Sequence, residues 1–89
     1  MRAAKRYKVV LRPAARRDLD RLPIQVRNRV LTALLELEKD PRPRASKQLV
    51  SRGRERRLRV GVYRVLYEVD DEASIVRVFR IRHRREAYR

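Results

Sequence analysis

Apolar and polar residues alternate along several short stretches of the chain, and in its first half apolar residues also recur at helical spacing. Residues 7–11 read YKVVL and alternate, which predicts a first β-strand. Pro13 follows, and proline is favoured in the first turn of a helix, so we predict that a helix begins there. Leu19 and Leu22 anchor this helix on its apolar side, and Pro23 ends it or begins the next one.

A second helix is predicted from residue 24 to about residue 40, where apolar residues follow the helical period. Joined at Pro23, the two helices would form an antiparallel hairpin. Leu31 and Leu35 make the apolar stripe wider than packing against a sheet requires, so they either extend the core or dock a partner. Residues 40–46, DPRPRAS, are predicted to form a loop, because two closely spaced prolines disfavour both helix and sheet. The other apolar positions of this helix are Val26, Val30, Ala33, Leu34 and Leu37.

The second half of the chain is predicted to form three strands. Residues 55–60 (ERRLRV), 62–69 (VYRVLYEV) and 75–82 (IVRVFRIR) all alternate. Gly61 lies at a tight turn between the first two strands, and the Asp-rich segment 70–74 lies between the last two. The element order is then β-α-α-β-β-β. We therefore predict an α+β fold for the whole chain as a single domain, a small antiparallel β-sheet with an N-terminal helical hairpin packed on one face.

Strand alternation also assigns the two faces of the predicted sheet. Where the leucines, valines and tyrosines of the strands face the helices, Arg57, Arg59 and Arg64 lie on the opposite face. A two-residue turn after Val60 would place Arg59 directly across from Arg64. Like charges paired across strands are destabilising, so a small domain that retains such a pair is expected to hold an anion there. The alternative interpretation is three solvated arginines on a wet sheet face.

The balance of charge indicates a polyanionic partner. Lys and Arg number 26 and Asp and Glu number 11, a net charge of +15, which favours binding to nucleic acid. One histidine, no cysteine, and acids whose densest cluster lies in a turn offer no convincing metal ligands, so we predict neither a metal nor another cofactor. The absence of cysteine fits a reducing cytoplasm, and no segment has the roughly 20 apolar residues of a membrane span.

The C-terminal half carries a family resemblance. Residues 58–89, LRVGVYRVLYEVDDEASIVRVFRIRHRREAYR, resemble the corresponding part of RelE-type toxins of bacterial and archaeal toxin–antitoxin systems. The N-terminal YKVVLRPAARRDLDRLP resembles the opening strand and first helix of the same family, so the similarity covers nearly the whole chain. YRVLYEV is shared with the related ParE group, whereas the ending HRREAY is more typical of RelE. We therefore expect a RelE-like member of the RelE/ParE toxin superfamily.

This resemblance implies a small cytoplasmic toxin that cleaves messenger RNA on the ribosome and is silenced by a cognate antitoxin in a hetero-oligomer. By the family's pattern, Arg64 contacts the scissile phosphate. Arg84 contributes to catalysis, with His83 beside it, and Tyr88 stacks on the substrate or orients it. Basic residues near the turn and at the end of the last strand are expected to bind RNA phosphates. This phosphate-binding set is Arg57, Arg59 and Arg82.

The residue that would accept a proton is where the sequence departs from the family. Metal-free cleavage by the 2′-hydroxyl group needs a base, an acid and cations that stabilise the phosphorane. Arginine supplies the cations but stays protonated. The best-known ribosome-dependent members place lysines in the strand before the turn, where this chain has Glu55, Arg56 and Arg57. Histidine titrates near neutrality, so His83 is the candidate base; the alternatives are that it only binds RNA or is merely exposed. Tyr88 would serve only if nearby cations acidified its hydroxyl group.

Two other functions fit the same residues. A ParE-like toxin would inhibit DNA gyrase by binding, without hydrolysis. A plain nucleic-acid-binding module would use the same charge and show steep salt dependence. If the chain is a toxin, its antitoxin is expected to bring acidic residues to the arginines and an apolar helix or strand to Leu31 and Leu35.

Overall fold

The computed structural model describes residues 5–49 and 53–85. Within these residues, two helices follow the first strand and four further strands come after them, which confirms the predicted α+β class. Neither of these two helices is long and apolar enough to cross a membrane. The elements are β1 (Lys8–Leu11), α1 (Pro13–Asp20), α2 (Ile24–Leu37), β2 (Ser46–Gln48), β3 (Arg56–Val60), β4 (Tyr63–Asp70) and β5 (Ile75–His83).

The strands form one sheet in the order β1-β5-β4-β3-β2. The pairs β5–β4, β4–β3 and β3–β2 are antiparallel, but β1 runs parallel to β5, with Val9 opposite Val76. The expectation of a wholly antiparallel sheet was therefore wrong. Strand alternation reports which face a residue lies on and carries no information about the direction of a neighbouring strand, so this pairing had no local signal.

The short strand β2 lies where a loop was predicted to end. Ser46 pairs with Leu58, and Gln48 pairs with Arg56, which extends the sheet by one edge strand. Three residues are too few to show an alternating pattern, and the prolines just before them indicate a loop correctly up to residue 45. Helix α2 likewise ends at Leu37, ahead of the predicted limit near residue 40.

The core lies between the two helices and one face of the sheet. Tyr67 is fully buried at its centre, and its hydroxyl group donates a 2.8 Å hydrogen bond to the carbonyl oxygen of Pro41. On α2, Leu31 is 39% exposed and Leu35 is 62% exposed, so these two leucines do not extend the core. The buried residues of this cluster are Ala15, Leu19, Val30, Leu34, Leu37, Leu58, Val65, Tyr67, Val69, Val76, Val78 and Ile81.

The pairing of β4 with β5 contains a register shift that re-orients the end of the chain. Leu66 pairs with Arg80 but the next residue, Tyr67, pairs with Val78, so Phe79 is an extra residue in β5. Phe79 lies outside the buried cluster, with its ring centroid 5.7 Å from the guanidinium of Arg12. Because of the extra residue, Val78 and Ile81 both face the helices although three positions separate them.

Candidate functional site

Three arginines stand side by side across β3, β4 and β5 on the sheet face that points away from the helices. Arg59 is the cross-strand partner of Arg64, and Arg64 is in turn the partner of Arg82. We call these three residues the arginine row. The tight turn before β4 sets the first pair, since Gly61 adopts a φ of +60°, a conformation that glycine reaches without strain. The predicted Arg59–Arg64 pairing is confirmed, and the structure adds Arg82 to it.

Arg64, in the middle of the row, is buried with only 6% of its surface exposed. Its Nη1 donates a 3.2 Å hydrogen bond to the carbonyl oxygen of Tyr63, while its buried Nε donates none within the described residues. No carboxylate of residues 5–49 or 53–85 forms an ion pair with Arg64 or Arg59. A desolvated guanidinium without a counter-ion is costly, so this position is suited to an anion.

A second row lies beside the arginine row on the same face. Arg57 pairs with Leu66, and Leu66 pairs with Arg80. Leu66 is only 8% exposed although it lies outside the core cluster on the helix side. The apolar side chain of Leu66 therefore lies between Arg57 and Arg80, two residues along β4 from Arg64 and on the same face. No local sequence signal marks Leu66, and only its place between two cross-strand arginines identifies it.

Arginines elsewhere on β5 have carboxylate partners. Arg77 lies 3.2 Å from Asp70 and 3.7 Å from Glu68, at the end of the sheet away from the row. Arg80 binds Asp18 of α1 at 2.8 Å. Burial alone would raise the pKa of Asp18, but hydrogen bonds from Arg80 and from the Ile81 amide outweigh it, and the pKa lies below its ordinary value.

His83 ends β5 on the other face of the sheet. It pairs with Tyr63, and the two rings meet edge to face with centroids 5.4 Å apart. Alternation from Val65 and Ile81 places both rings on the helix side, whereas Arg64 and Arg82 occupy the opposite side. His83, the candidate base, therefore lies on the face opposite Arg64, because a bulge shifts the register of β5 and with it the face that His83 occupies. Its Nδ1 accepts a 3.3 Å hydrogen bond from the Arg85 amide.

The remaining predicted site residues lie at or beyond the end of the last strand. The Arg84 amide donates a 2.7 Å hydrogen bond to the carbonyl oxygen of Val62, so the backbone of Arg84 continues the pairing next to the row while its side chain is exposed. Tyr88 lies outside the described residues. The structure thus brings together Arg57, Arg59, Arg64 and Arg82, and it places Arg84 beside them.

A separate polar groove of about 500 Å³ lies at the far end of the sheet, between the β4–β5 turn and the segment before β2. In it, Arg42 forms a 2.8 Å ion pair with Asp71, which also accepts a hydrogen bond from the Tyr7 hydroxyl group. The hydrogen bonds from Arg42 and Tyr7 lower the pKa of Asp71 to about 2. Because arginines and acids balance one another in this groove, it lacks the excess of positive charge that marks the arginine row.

Comparison with known proteins assigns a class to this fold and its cationic face. A family model described as the ParE toxin of type II toxin–antitoxin systems matches residues 9–88. The protein is thus a toxin of the type II toxin–antitoxin class. It is 36% identical over 92 residues to toxin RelG of Mycobacterium tuberculosis, an alignment that covers 93% of this chain and 97% of that toxin.

Solved structures give the same result. The RelBE2 toxin–antitoxin complex of Mycobacterium tuberculosis matches with a TM-score of 0.79 and 34% identity, covering 88% of this chain and 98% of that one. The isolated RelE toxin of E. coli matches with a TM-score of 0.77 and 26% identity, covering 92% of this chain and 90% of that one. The chain belongs to the RelE/ParE toxin superfamily, as the sequence resemblance indicated.

Proposed function

We propose that this toxin is a ribosome-dependent mRNA endoribonuclease that acts in the cytoplasm without a metal or another cofactor. The observation that carries the proposal is the buried guanidinium of Arg64, flanked on both sides by arginines and without an ion-pair partner among the described residues. The relatives RelG and RelE support it by family.

The proposed reaction is attack of an RNA 2′-oxygen on the adjacent phosphorus. The bond to the 5′-oxygen breaks, which leaves a 2′,3′-cyclic phosphate and a new 5′-hydroxyl end. The attacking hydroxyl group loses a proton to a base, and the leaving oxygen gains one from an acid. The phosphorane formed on the way carries more negative charge than the substrate phosphate, and the arginine row would bind its non-bridging oxygens in a preorganised position.

The other predicted residues are proposed to act around this centre. Arg57 and Arg84 would hold the neighbouring phosphates, and the apolar Leu66, the cross-strand partner of Arg57, would support a base. Tyr88 would stack on the substrate. His83 remains a candidate for proton transfer only if the RNA follows the end of β5 from one face of the sheet to the other.

The test is cleavage of messenger RNA by the purified toxin on programmed ribosomes, with mapping of the new RNA ends. Cuts that depend on the ribosome and on the codon would support the proposal, and Arg64→Ala should reduce kcat by about 10²–10³-fold, the range found when an oxyanion-stabilising group is removed. Arg17→Ala on the exposed side of α1 removes the same charge and should have little effect. Intact mRNA with the wild-type toxin under conditions of active translation would refute the proposal.

A second candidate function is inhibition of DNA gyrase by binding without hydrolysis. The observation in its favour is that the matching family model describes ParE toxins. A supercoiling assay separates the two functions, because inhibited gyrase with uncut mRNA would identify a ParE-like activity. Inhibition of translation with unaffected gyrase would favour the endoribonuclease.

We also propose that a cognate antitoxin in a hetero-oligomer binds the exposed apolar side of α2. Several similar structures are toxin–antitoxin complexes, among them archaeal RelE–RelB of Pyrococcus horikoshii. Ile24, Leu31 and Leu35 are spaced by seven and four residues and are all exposed, so they form one stripe along the helix. With a net charge of +15, the toxin favours an amphipathic segment with acidic flanks as its partner.

Co-expression with the product of a neighbouring small open reading frame tests this partner. Growth arrest that only this product relieves would support it. Leu35→Asp should weaken the complex in a pull-down, whereas Gln25→Asp, a matched charge on α2 outside the stripe, should not. Equal binding by both variants would exclude the stripe as the docking surface.

A further inference from the structure

The carboxylate of Asp18 binds β5 at three points, although 62 residues separate it from its partner Arg80. Its Oδ2 accepts hydrogen bonds from the Arg80 Nε at 2.8 Å and from the Ile81 backbone amide at 2.9 Å. Its Oδ1 accepts a third bond from the Arg80 Nη2 at 3.1 Å. Only 12% of the Asp18 side chain is exposed, so water competes weakly for these contacts.

These contacts lie where β5 loses its outer neighbour. Strand β1 pairs with β5 only as far as Leu11 opposite Val78, and the chain then turns into α1. Beyond Val78 an outward-pointing amide of β5 has no strand to bind among residues 5–49 and 53–85, and the extra residue Phe79 further disturbs the ladder. The Ile81 amide points to Asp18 at this position, so a side chain from α1 takes the place of the missing strand.

We propose that Asp18 is the positioning residue of the arginine row. It holds the second half of β5 against α1, so that Arg82, the residue after Ile81, stays opposite Arg64. The inference rests on the proposed endoribonuclease function and adds to it the device that fixes the outer member of the row. Asp18 lies on the helix, and it acts on the substrate only through the strand that it anchors.

Losing the charge of Asp18 and losing its contacts to β5 have opposite effects on activity, so the role of Asp18 can be measured. Removing the carboxylate takes away one negative charge beside the site, and a more positive site attracts RNA more strongly. Removing it also frees Ile81 and its neighbour Arg82 to shift. A positioning role therefore lowers kcat and also lowers KM, since the more positive site binds RNA more tightly. A loss of folded protein would instead lower the concentration of active toxin, and with it the apparent kcat, and would leave KM unchanged.

The experiment compares Asp18→Asn with Asp20→Asn in the full-length toxin on programmed ribosomes. Asp20 is two residues away on α1, and its exposed carboxylate contacts only the exposed Arg16 at 3.5 Å among the described residues. We expect Asp18→Asn to lower kcat by about 10–100-fold, because a displacement of about 1 Å at a catalytic group costs on the order of 10²-fold. Asp20→Asn should match the wild-type toxin. Equal kcat values for the two variants would overturn the inference.

Amide hydrogen exchange gives a readout that does not depend on the reaction. Exchange at Ile81 and Arg82 should rise by roughly tenfold or more in Asp18→Asn and stay unchanged in Asp20→Asn, since a charge-assisted bond to the strand has been lost. If the wild-type toxin cuts no mRNA, the proposed function fails and this exchange result alone decides the inference. Should Asp18→Asn not fold, Arg80→Gln removes two of the three bonds to Asp18 and leaves the one from the Ile81 amide, so exchange at Ile81 and Arg82 should rise by a smaller factor. Unchanged exchange in Arg80→Gln would equally overturn the inference.

Discussion

Arg64 in β4 and Arg82 in β5 are direct cross-strand partners, and the Nε atom of each is buried. Arg59 flanks Arg64 on its other side, so three cations follow one another across the sheet. Neighbouring like charges oppose pairing of strands, and burial removes the water that would screen them. A bound anion would relieve this repulsion, so the site is expected to bind an anion at a cost to the stability of the free toxin.

Replacement of Arg64 by methionine should therefore stabilise the toxin while it lowers kcat by as much as Arg64→Ala does. Methionine keeps much of the volume and removes a buried charge that faces two others. We expect a gain of about 1 kcal/mol, which corresponds to a rise of roughly 4–8 °C in Tm for a domain of this size. Thermal unfolding measures the gain. Arg17→Met on the exposed side of α1 is the control, and a fall in Tm for Arg64→Met would show that Arg64 stabilises the free fold.

Anions that resemble an RNA phosphate should stabilise the wild-type toxin more than Arg64→Met. A ligand present at about ten times its dissociation constant contributes about 1.4 kcal/mol to the stability of the state that binds it. We therefore expect inorganic phosphate to raise the Tm of the wild type by several degrees more than it raises the Tm of Arg64→Met. The shift in the variant measures the general effect of phosphate on stability. Matched ionic strength in chloride corrects for screening. An equal shift in both proteins would contradict an anion site at Arg64.

The ion pair at the other end of the sheet predicts a specific acid sensitivity. Hydrogen bonds from Arg42 and Tyr7 lower the pKa of Asp71 to about 2 in the folded state. A lowered folded-state pKa means that the carboxylate favours folding at pH values above about 4, and that this contribution is lost as the pH falls from about 4 to about 2. The difference in Tm between wild type and Asp71→Asn should be present at pH 7 and should disappear by pH 2. Glu72→Gln, at the next position, is the control, and a difference that persists at pH 2 would contradict the assignment.

His83→Gln should reduce kcat by less than about tenfold, well below the 10²–10⁴-fold that a general base contributes. The physical reason is that the His83 ring packs against Tyr63 on the face opposite Arg64. The measurement is the dependence of kcat on pH for wild type and variant. If the variant lost 10²-fold or more in kcat, together with the acidic limb of the pH profile, His83 would be the base. The RNA would then have to pass around the end of β5.

Features set by neighbouring residues were predictable. Pro13 and the periodic leucines located both helices, and the single glycine between two alternating segments placed Arg59 opposite Arg64. Each of these depends on turn length or periodicity within about twenty residues. The site residues Arg57 and Arg59 followed from the same alternation, and they do lie on the face of Arg64.

Features that depend on distant pairing were missed or misplaced. The parallel partner of β5 is β1, at the other end of the sequence. The extra residue Phe79 shifts the register that decides which face His83 occupies. Strand β2 is too short to leave a pattern, and it becomes a strand because β3 offers it a free edge.

The amino-acid sequence by itself determined the two helices, strands β1, β3, β4 and β5, the excess of positive charge and the central arginine pair, because periodicity and turn geometry act locally. The tertiary structure decided that Arg82 completes the row, that Arg64 is buried within it, and that Asp18 holds the strand on which Arg82 lies. These three facts require contacts between residues far apart in the chain. They form only when the helices pack on the sheet and β5 takes its place between β1 and β4.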